Sequence, residues 1–226
     1  MRRLLIRAMG AALCMAVLAS GAAAEVVGRD GMNGDVYIHR ILAPNGQEIY
    51  YTSREEEAGM RIEDVNFDGV NDIVVPTALG ASNFFCAFFV WDGEAYVRAT
   101  YNAGDDAGLV NFELYPELGL VYTASDDGSA GALHQRCLYR WEGTELRCVR
   151  MAIAEEYAQW EFDEETGIST TALDNDRIHV RVIETVYSET DGTTYDVLWE
   201  EVVTAEDYDR LGIDEREAEF LWDGLR

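Results

Sequence analysis

Apolar and polar residues alternate along most of the chain in short runs that predict β-strands. Val, Ile, Phe, Tyr and Trp are concentrated in these runs, and Asp, Gly and Asn fill the stretches between them. Asn45-Gly46, Asp92-Gly93 and Asp191-Gly192 separate pairs of runs and are typical of hairpin turns. The predicted strands are 36–41, 48–51, 73–76, 84–91, 95–100, 120–124, 137–141, 146–149, 178–187 and 195–203.

The C-terminal end has a different pattern, which predicts two short helices. Thr204 has an acidic residue, Asp207, three positions later, and this is the form of a helix N-cap. The segments 207–211 and 215–222 then carry apolar residues on one side. We expect this helical tail, 204–226, to pack over an edge or an open end of the sheets.

Two segments resemble each other and suggest a repeated hairpin. Each contains a Trp followed two positions later by Gly, and they are 89–100 and 138–149. A repeat of roughly 50 residues with several strands is typical of propeller blades, although any hairpin with a Trp and a glycine turn would look similar. The sequence therefore predicts an all-β fold of antiparallel hairpin and meander units in a small or incomplete β-propeller-like arrangement. Together with the short C-terminal helices it forms a single predicted domain, 25–226.

The first 24 residues have the order of charge and hydropathy found in signal peptides. Arg2, Arg3 and Arg7 precede an apolar run, 8–20, that is too short to span a bilayer, and small residues follow at 22–24. We predict that 1–24 is a signal peptide. The mature chain then begins at Glu25, has no membrane span, and is secreted or periplasmic.

The charge of the chain narrows the range of partners. There are 17 basic residues, all arginine, against 43 acidic ones, and the net charge is −26. Residues 1–24 hold three arginines and no acid, so their removal would change −26 to −29. A surface this acidic repels nucleic acid and anionic lipid and favours cationic partners or metal ions. Solubility alone would also account for the charge.

Three cysteines lie in the predicted mature chain. Outside the cytoplasm one disulfide is expected, with one cysteine left over. Cys137 and Cys148 flank a predicted hairpin turn and are near enough to bridge in some registers, while pairing of Cys86 with either of them stays open. We interpret the histidines as strand-surface or capping residues and not as ligands: His39, His134 and His179.

The most informative stretch is 64–72, DVNFDGVND, which has oxygen-bearing side chains at every second position around a glycine. Such oxygens can converge on one point, and calcium takes about six to eight oxygen ligands. The twelfth position is Val75 instead of the glutamate of an EF-hand, and an apolar strand follows in place of a helix. We predict a structural Ca2+ loop, the alternative being an Asx-rich turn without metal. The predicted ligands are Asp64, Asn66, Asp68, the Val70 carbonyl and Asp72.

This loop and the strand after it resemble the calcium loops of FG-GAP/VCBS-type β-propeller repeats. The resemblance covers about a dozen residues, and it implies the same five ligands. The whole chain also resembles, more faintly, small secreted bacterial propeller-like proteins with one "DVNFDG" loop, some of which inhibit lysozyme-type enzymes. The chain departs from full propellers in having one well-formed loop of this kind.

These observations favour a secreted, non-enzymatic binding module with a structural calcium site. Its expected partner is a cationic protein such as a lysozyme-type cell-wall hydrolase. A glycan-binding or adhesive module that uses exposed tryptophans on a cell-surface glycan is the alternative. A carboxylate-dependent enzyme acting on a glycan is a further one, with Glu155-Glu156 or Asp126-Asp127 as acid pairs. Because the sequence contains no motif that indicates a particular catalytic reaction, we predict that the chain is not an enzyme.

Overall fold

A computed structural model describes residues 23–30, 36–56, 59–101, 108–126, 133–163, 168–188 and 192–225 of the chain. The predicted signal peptide lies outside these residues except for Ala23 and Ala24, which open the first strand. The predicted turn at Asp191 also lies outside them, although Gly192 begins a strand.

The described residues form a mostly β structure with two short helices at its C-terminal end, as the sequence predicts. The elements are β1 (Ala23–Asp30), β2 (Val36–Leu42), β3 (Glu48–Ser53), β4 (Arg61–Glu63), β5 (Asp72–Leu79), β6 (Phe84–Trp91), β7 (Tyr96–Arg98), β8 (Thr100–Tyr101), β9 (Leu109–Val110), β10 (Glu113–Tyr115), β11 (Leu120–Asp126), β12 (His134–Glu142), β13 (Glu145–Asp163), β14 (Ile168–Ser188), β15 (Gly192–Thr204), α1 (Ala205–Arg210) and α2 (Ile213–Trp222).

The strands form three sheets, and most neighbours in the sequence are also neighbours in a sheet. The first sheet has the order β1-β2-β3, and the middle sheet has β4-β5-β6-β7 with β9 beside β6. The third sheet has the order β10-β11-β12-β13-β14-β15. Pairing is antiparallel throughout except that the two-residue β8 runs parallel to β13. The predicted hairpins are confirmed, and at the β2–β3 turn Gly46 has a φ of 86°, which suits glycine.

The hairpin of β13 and β14 is longer than predicted. Its strands contain 19 and 21 residues, whereas the sequence predicts only 146–149 and 178–187 as strand in this region. A register shift between Glu156 and Tyr157 divides the pairing of the two strands. The many acidic residues around this point hide the strand pattern in the sequence, because charged residues are depleted in most strands.

The three sheets are stacked, and the middle sheet is buried on both faces. Val74, Phe88 and Val90 point from it into a core shared with the third sheet. Ile73, Val75 and Phe89, at the alternate positions, point into a core shared with the first sheet. This double burial explains why β5 and β6 are continuous apolar runs, since alternation is expected only where one face meets water.

The helices cover the far face of the third sheet. Thr204 accepts a hydrogen bond from the Asp207 backbone amide and caps α1, which confirms the predicted helix start. Leu221 and Trp222 of α2 pack on a cluster from the middle of the sheet, Leu120, Leu138, Ala152 and Val182. The expectation that the tail would cover an edge or an open end is therefore wrong. A whole face of the sheet is apolar and needs a covering layer.

Candidate functional site

The predicted metal loop connects β4 to β5 in the middle sheet. Its chain direction is reversed by two residues with positive φ, Phe67 at 64° and Gly69 at 85°. A positive φ is ordinary for glycine but is strained for a bulky side chain. Phe67 is held there by packing against the core between the middle and third sheets.

Three of the predicted ligands are brought together by hydrogen bonds within the loop. The two carboxylate oxygens of Asp64 accept from the Asp68 amide at 3.2 Å and the Gly69 amide at 2.9 Å. Asn66 Nδ2 donates to Asp68 Oδ2 at 2.9 Å, and Asn66 Oδ1 accepts from the Asp68 amide at 3.2 Å. Asp64, Asn66 and Asp68 are therefore linked through the Asp68–Gly69 segment of the loop, with each carboxylate oxygen retaining a lone pair.

Asp72 is placed differently from the other predicted ligands. Its side chain is fully buried, and its two oxygens accept from the backbone amides of Val65 at 3.1 Å and Trp91 at 2.9 Å. Burial raises the pKa of Asp72, these two hydrogen bonds oppose that rise, and the charges of Asp68 and Asp64 add to it. The carboxylate thus fastens the start of the loop to the end of β6.

The Val70 side chain is exposed, and its backbone amide donates to Asp68 Oδ1 at 2.7 Å. The predicted role of its carbonyl stays a prediction. In chemical type the donors fit a hard cation, since all are carboxylate, amide or carbonyl oxygens. Among the described residues, however, no group of three or more His, Cys, Asp or Glu side chains is arranged to hold a metal ion. Asp72, which points to the two amides, is the carboxylate that would complete such a group.

Both ends of the loop are fixed to the core by aromatic side chains. Val65 is fully buried, and its carbonyl accepts a hydrogen bond from the Trp141 indole at 2.7 Å. At the other end the Tyr96 hydroxyl donates to the Asn71 carbonyl at 3.3 Å. Of the two repeated tryptophans, Trp141 therefore holds this loop through its indole, whereas Trp91 contributes its backbone amide, which donates to Asp72.

A cleft of about 670 Å³ lies beside the loop. Asp64 and Glu63 contribute acidic groups to it, and Phe67 forms part of its apolar wall. Glu63 is paired with Arg61 at 3.0 Å, which offsets its charge. The lining residues are Glu63, Asp64, Phe67, Gly69, Leu114 and Pro116.

A buried polar cluster that the sequence analysis does not predict lies between α2 and β12. Glu217 of α2 is fully buried, and its Oε2 lies 2.7 Å from Nε2 of His134, which is also buried. Its other oxygen pairs with Arg136, which also contacts Asp214 at 3.1 Å. One signal could have located Glu217, because it falls between Ile213 and Leu221 at a spacing of four residues and so lies within the buried face of the helix.

The structure corrects the interpretation of the histidines as strand-surface or capping residues. His134 and His39 are both buried, so they are not strand-surface residues. His39 stacks on Tyr51 with ring centroids 4.9 Å apart, and its Nε2 lies 2.9 Å from the Glu55 carbonyl oxygen. His179 is closer to the expected type, since its side chain is partly exposed beside Glu200. The three histidines differ in their tertiary burial, which the local sequence does not encode.

Comparison with known proteins adds little to this geometry. No family model matches the chain, and no curated protein matches it. A solved structure described as "Structure of a Xanthomonas Type IV Secretion System related protein" is similar over 79% of this chain and 88% of that chain. The TM-score is 0.41 and the sequence identity is 10%. Likeness at this level carries no argument about fold or function. No helix among the described residues has the length and apolar character needed to cross a membrane.

Proposed function

We propose that this chain is a secreted or periplasmic, non-enzymatic binding module in which the loop 64–72 holds a structural calcium ion. The observation that carries the proposal is the fixed position of an oxygen-rich loop on a doubly buried sheet. Asp64, Asn66 and Asp68 are joined by hydrogen bonds within the loop. The Val65 carbonyl accepts from the Trp141 indole and the Asn71 carbonyl accepts from the Tyr96 hydroxyl.

Bound calcium would neutralise the mutual repulsion of the loop carboxylates. Asp64, Asn66 and Asp68 would supply side-chain oxygens, and the Val70 carbonyl would supply a backbone oxygen. Asp72 would contribute while still accepting from Val65 and Trp91, since each of its oxygens can make more than one contact. The metal would then order the connection from β4 to β5 without taking part in any reaction.

We further propose an FG-GAP/VCBS-type, propeller-like arrangement for the stacked sheets. Two features support it. The middle sheet is a meander of four consecutive strands, β4-β5-β6-β7, with the loop between its first two strands. The sheets also pack face to face through shared apolar cores, as propeller blades do.

The first prediction concerns calcium and stability. At 1 mM calcium we expect the free energy of unfolding to rise by about 0.4 to 1.4 kcal/mol, the gain for a site with a Kd of roughly 10⁻⁴ to 10⁻³ M. In a domain of this size the melting temperature would rise by about 1 to 5 °C. Asp68→Ala is expected to abolish this rise. Thermal unfolding monitored by tryptophan fluorescence, in calcium and in chelator, measures both effects.

The matched control is Asp209→Ala, which removes an exposed aspartate far from the loop in the sequence, on α1. This variant is expected to keep the full response to calcium. Magnesium at the same concentration controls for general screening of the acidic surface, because Mg2+ is smaller and demands octahedral geometry. Identical melting curves for the wild type in calcium and in chelator would show that the loop is a metal-free turn.

For the partner, we propose a cationic protein such as a lysozyme-type cell-wall hydrolase. The support is the net charge of −26, which favours a partner of opposite charge. Two of the tryptophans considered for a glycan platform, Trp91 and Trp141, pack against other aromatic rings. Trp91 packs against Tyr96 in the core with ring centroids 5.2 Å apart, and Trp141 packs against Phe88.

The second prediction tests this partner directly. We expect the chain to bind a basic muramidase, with an affinity that falls several-fold between 50 and 200 mM salt because screening weakens the attraction. Surface-based binding and a cell-wall lysis assay would measure affinity and inhibition. An acidic muramidase of similar size is the control and is expected not to bind. Failure to bind the basic enzyme at either salt concentration would contradict the proposal.

A further inference from the structure

Cys137 and Cys148 lie on the same face of the hairpin formed by β12 and β13. Both are buried, at 2% and 1% exposure, in the core shared by the middle and third sheets. Cys137 is opposite Met151 and Cys148 is opposite Tyr139, so the two cysteines are diagonal neighbours across the hairpin. A register shift near Leu138 places an additional residue in β13 between these two pairs.

The interaction between the two thiol groups is asymmetric. It lowers the pKa of Cys137 and raises the pKa of Cys148, and burial adds to the second effect. The Cys148 thiol donates toward the Arg150 carbonyl oxygen at 3.4 Å. Gln135 Nε2 also donates toward the Cys137 sulfur at 3.5 Å. Thiolates are the attacking species in disulfide exchange.

Both cysteines are reduced in the structure, as is Cys86. We propose that Cys137 and Cys148 are the disulfide-forming pair of this protein and that Cys86 stays outside the bridge. The position of Cys137 and Cys148 as diagonal neighbours on one buried face of a hairpin carries the proposal. Cys86 packs against the same core, but from β6 of the middle sheet and not from the hairpin, and its strand partners are Pro76 and Leu109. The bridge goes beyond the proposed binding function and rests on it only for the oxidising compartment.

The chemistry requires an oxidant that carries a disulfide, either a low-molecular-weight disulfide or a thiol oxidase. The thiolate of one cysteine attacks one oxidant sulfur, forms a mixed disulfide and releases the other sulfur as a thiol. The second cysteine then gives up its proton to solvent and attacks the sulfur of the first cysteine, which releases the second oxidant thiol. In sum, two thiols lose two protons and two electrons, and one disulfide is reduced to two thiols.

Because the pair is buried in the folded protein, the oxidation has to take place during folding. Because Cys137 and Cys148 face the middle sheet, an oxidant reaches them only before the two sheets close over the hairpin. The bridge would then join the strands that present Trp141, whose indole holds the loop at Val65.

Tryptic peptides give an unambiguous test, since arginine follows each cysteine at short distance. Cleavage after Arg136, Arg140, Arg147 and Arg150 isolates Cys137 in the peptide CLYR and Cys148 in the peptide CVR. Cys86 falls in the separate peptide 62–98, and Cys14 falls in 8–29. The full chain is folded in a buffer of oxidised and reduced glutathione with chelator present, alkylated, digested without reduction, and analysed by mass spectrometry.

We expect CLYR and CVR to be recovered as one linked species and 62–98 to be recovered alkylated. The chain folded in oxidant is expected to melt roughly 6 to 11 °C higher than the chain folded in reductant. Cys137→Ser and Cys148→Ser should each remove this difference, and Cys86→Ser should retain it. Recovery of CLYR and CVR as separate alkylated peptides, a link from either one to another peptide, or equal melting temperatures in the two buffers would overturn the proposal. The chelator keeps the test independent of the calcium loop.

Discussion

Glu217→Ala is expected to lower the free energy of unfolding by about 3 to 5 kcal/mol, the usual cost of removing one partner from a buried ion pair. Glu217 is fully buried and accepts from Arg136 while lying 2.7 Å from His134. Its removal leaves the Arg136 charge and the His134 ring in the interior without this partner, and it leaves a cavity under α2. Urea unfolding monitored by tryptophan fluorescence measures the loss.

Two variants show whether the loss comes from this cluster. Glu219→Ala removes an exposed glutamate from the same helix and is expected to change stability by no more than about 0.5 kcal/mol. Glu217→Gln keeps the shape and one acceptor oxygen but not the charge, so its stability should fall between those of the wild type and Glu217→Ala. If Glu217→Ala were no less stable than Glu219→Ala, the cluster would not hold α2 on the third sheet.

Asp72→Ala is expected to destabilise the protein by about 2 to 4 kcal/mol even in chelator. The reason is that the buried amides of Val65 and Trp91 lose their acceptor, and an unsatisfied buried amide costs about 1 to 3 kcal/mol. This effect is separate from any calcium that the loop binds. Chemical unfolding of the variant and the wild type in chelator measures it.

The comparison with Asp68→Ala separates the two roles of the loop. Asp68 is exposed, and in chelator its replacement should cost less than about 1 kcal/mol, since water can replace its contacts. Asp72→Asn keeps one acceptor but turns an amide donor toward the second backbone amide, so we expect an intermediate loss. Were Asp72→Ala as stable as the wild type in chelator, its only role would be metal binding.

Local signals predicted the parts of this fold that depend on local interactions. Asn45-Gly46 and Asp92-Gly93 located two hairpins because those turns need residues that tolerate positive φ. Thr204 located the helix start because its hydroxyl caps an amide three residues later. In each case the interaction that fixes the element lies within a few residues of the signal.

The long-range parts could not be predicted in the same way. Asp72 was identified as a ligand by spacing alone, but its contact with Trp91 depends on how β5 and β6 pair. Glu217 and His134 meet across 83 positions of sequence, so neither one indicates the other. Which face of the third sheet the helices cover also depends on tertiary packing, and the prediction of an edge failed for that reason.

The double burial of the middle sheet has a consequence for how the protein unfolds. If β4–β7 separated from its neighbours, both of its apolar faces would meet water at once, on either side of the layer that holds Phe88 and Phe89. Such a layer cannot persist as an independent folding unit, and its amide hydrogens would exchange only when the whole stack opens. The ends of the loop, which Val65 and Asp72 fix to this layer, are therefore expected to open only with the whole stack, whereas its exposed residues 68–71 can open locally.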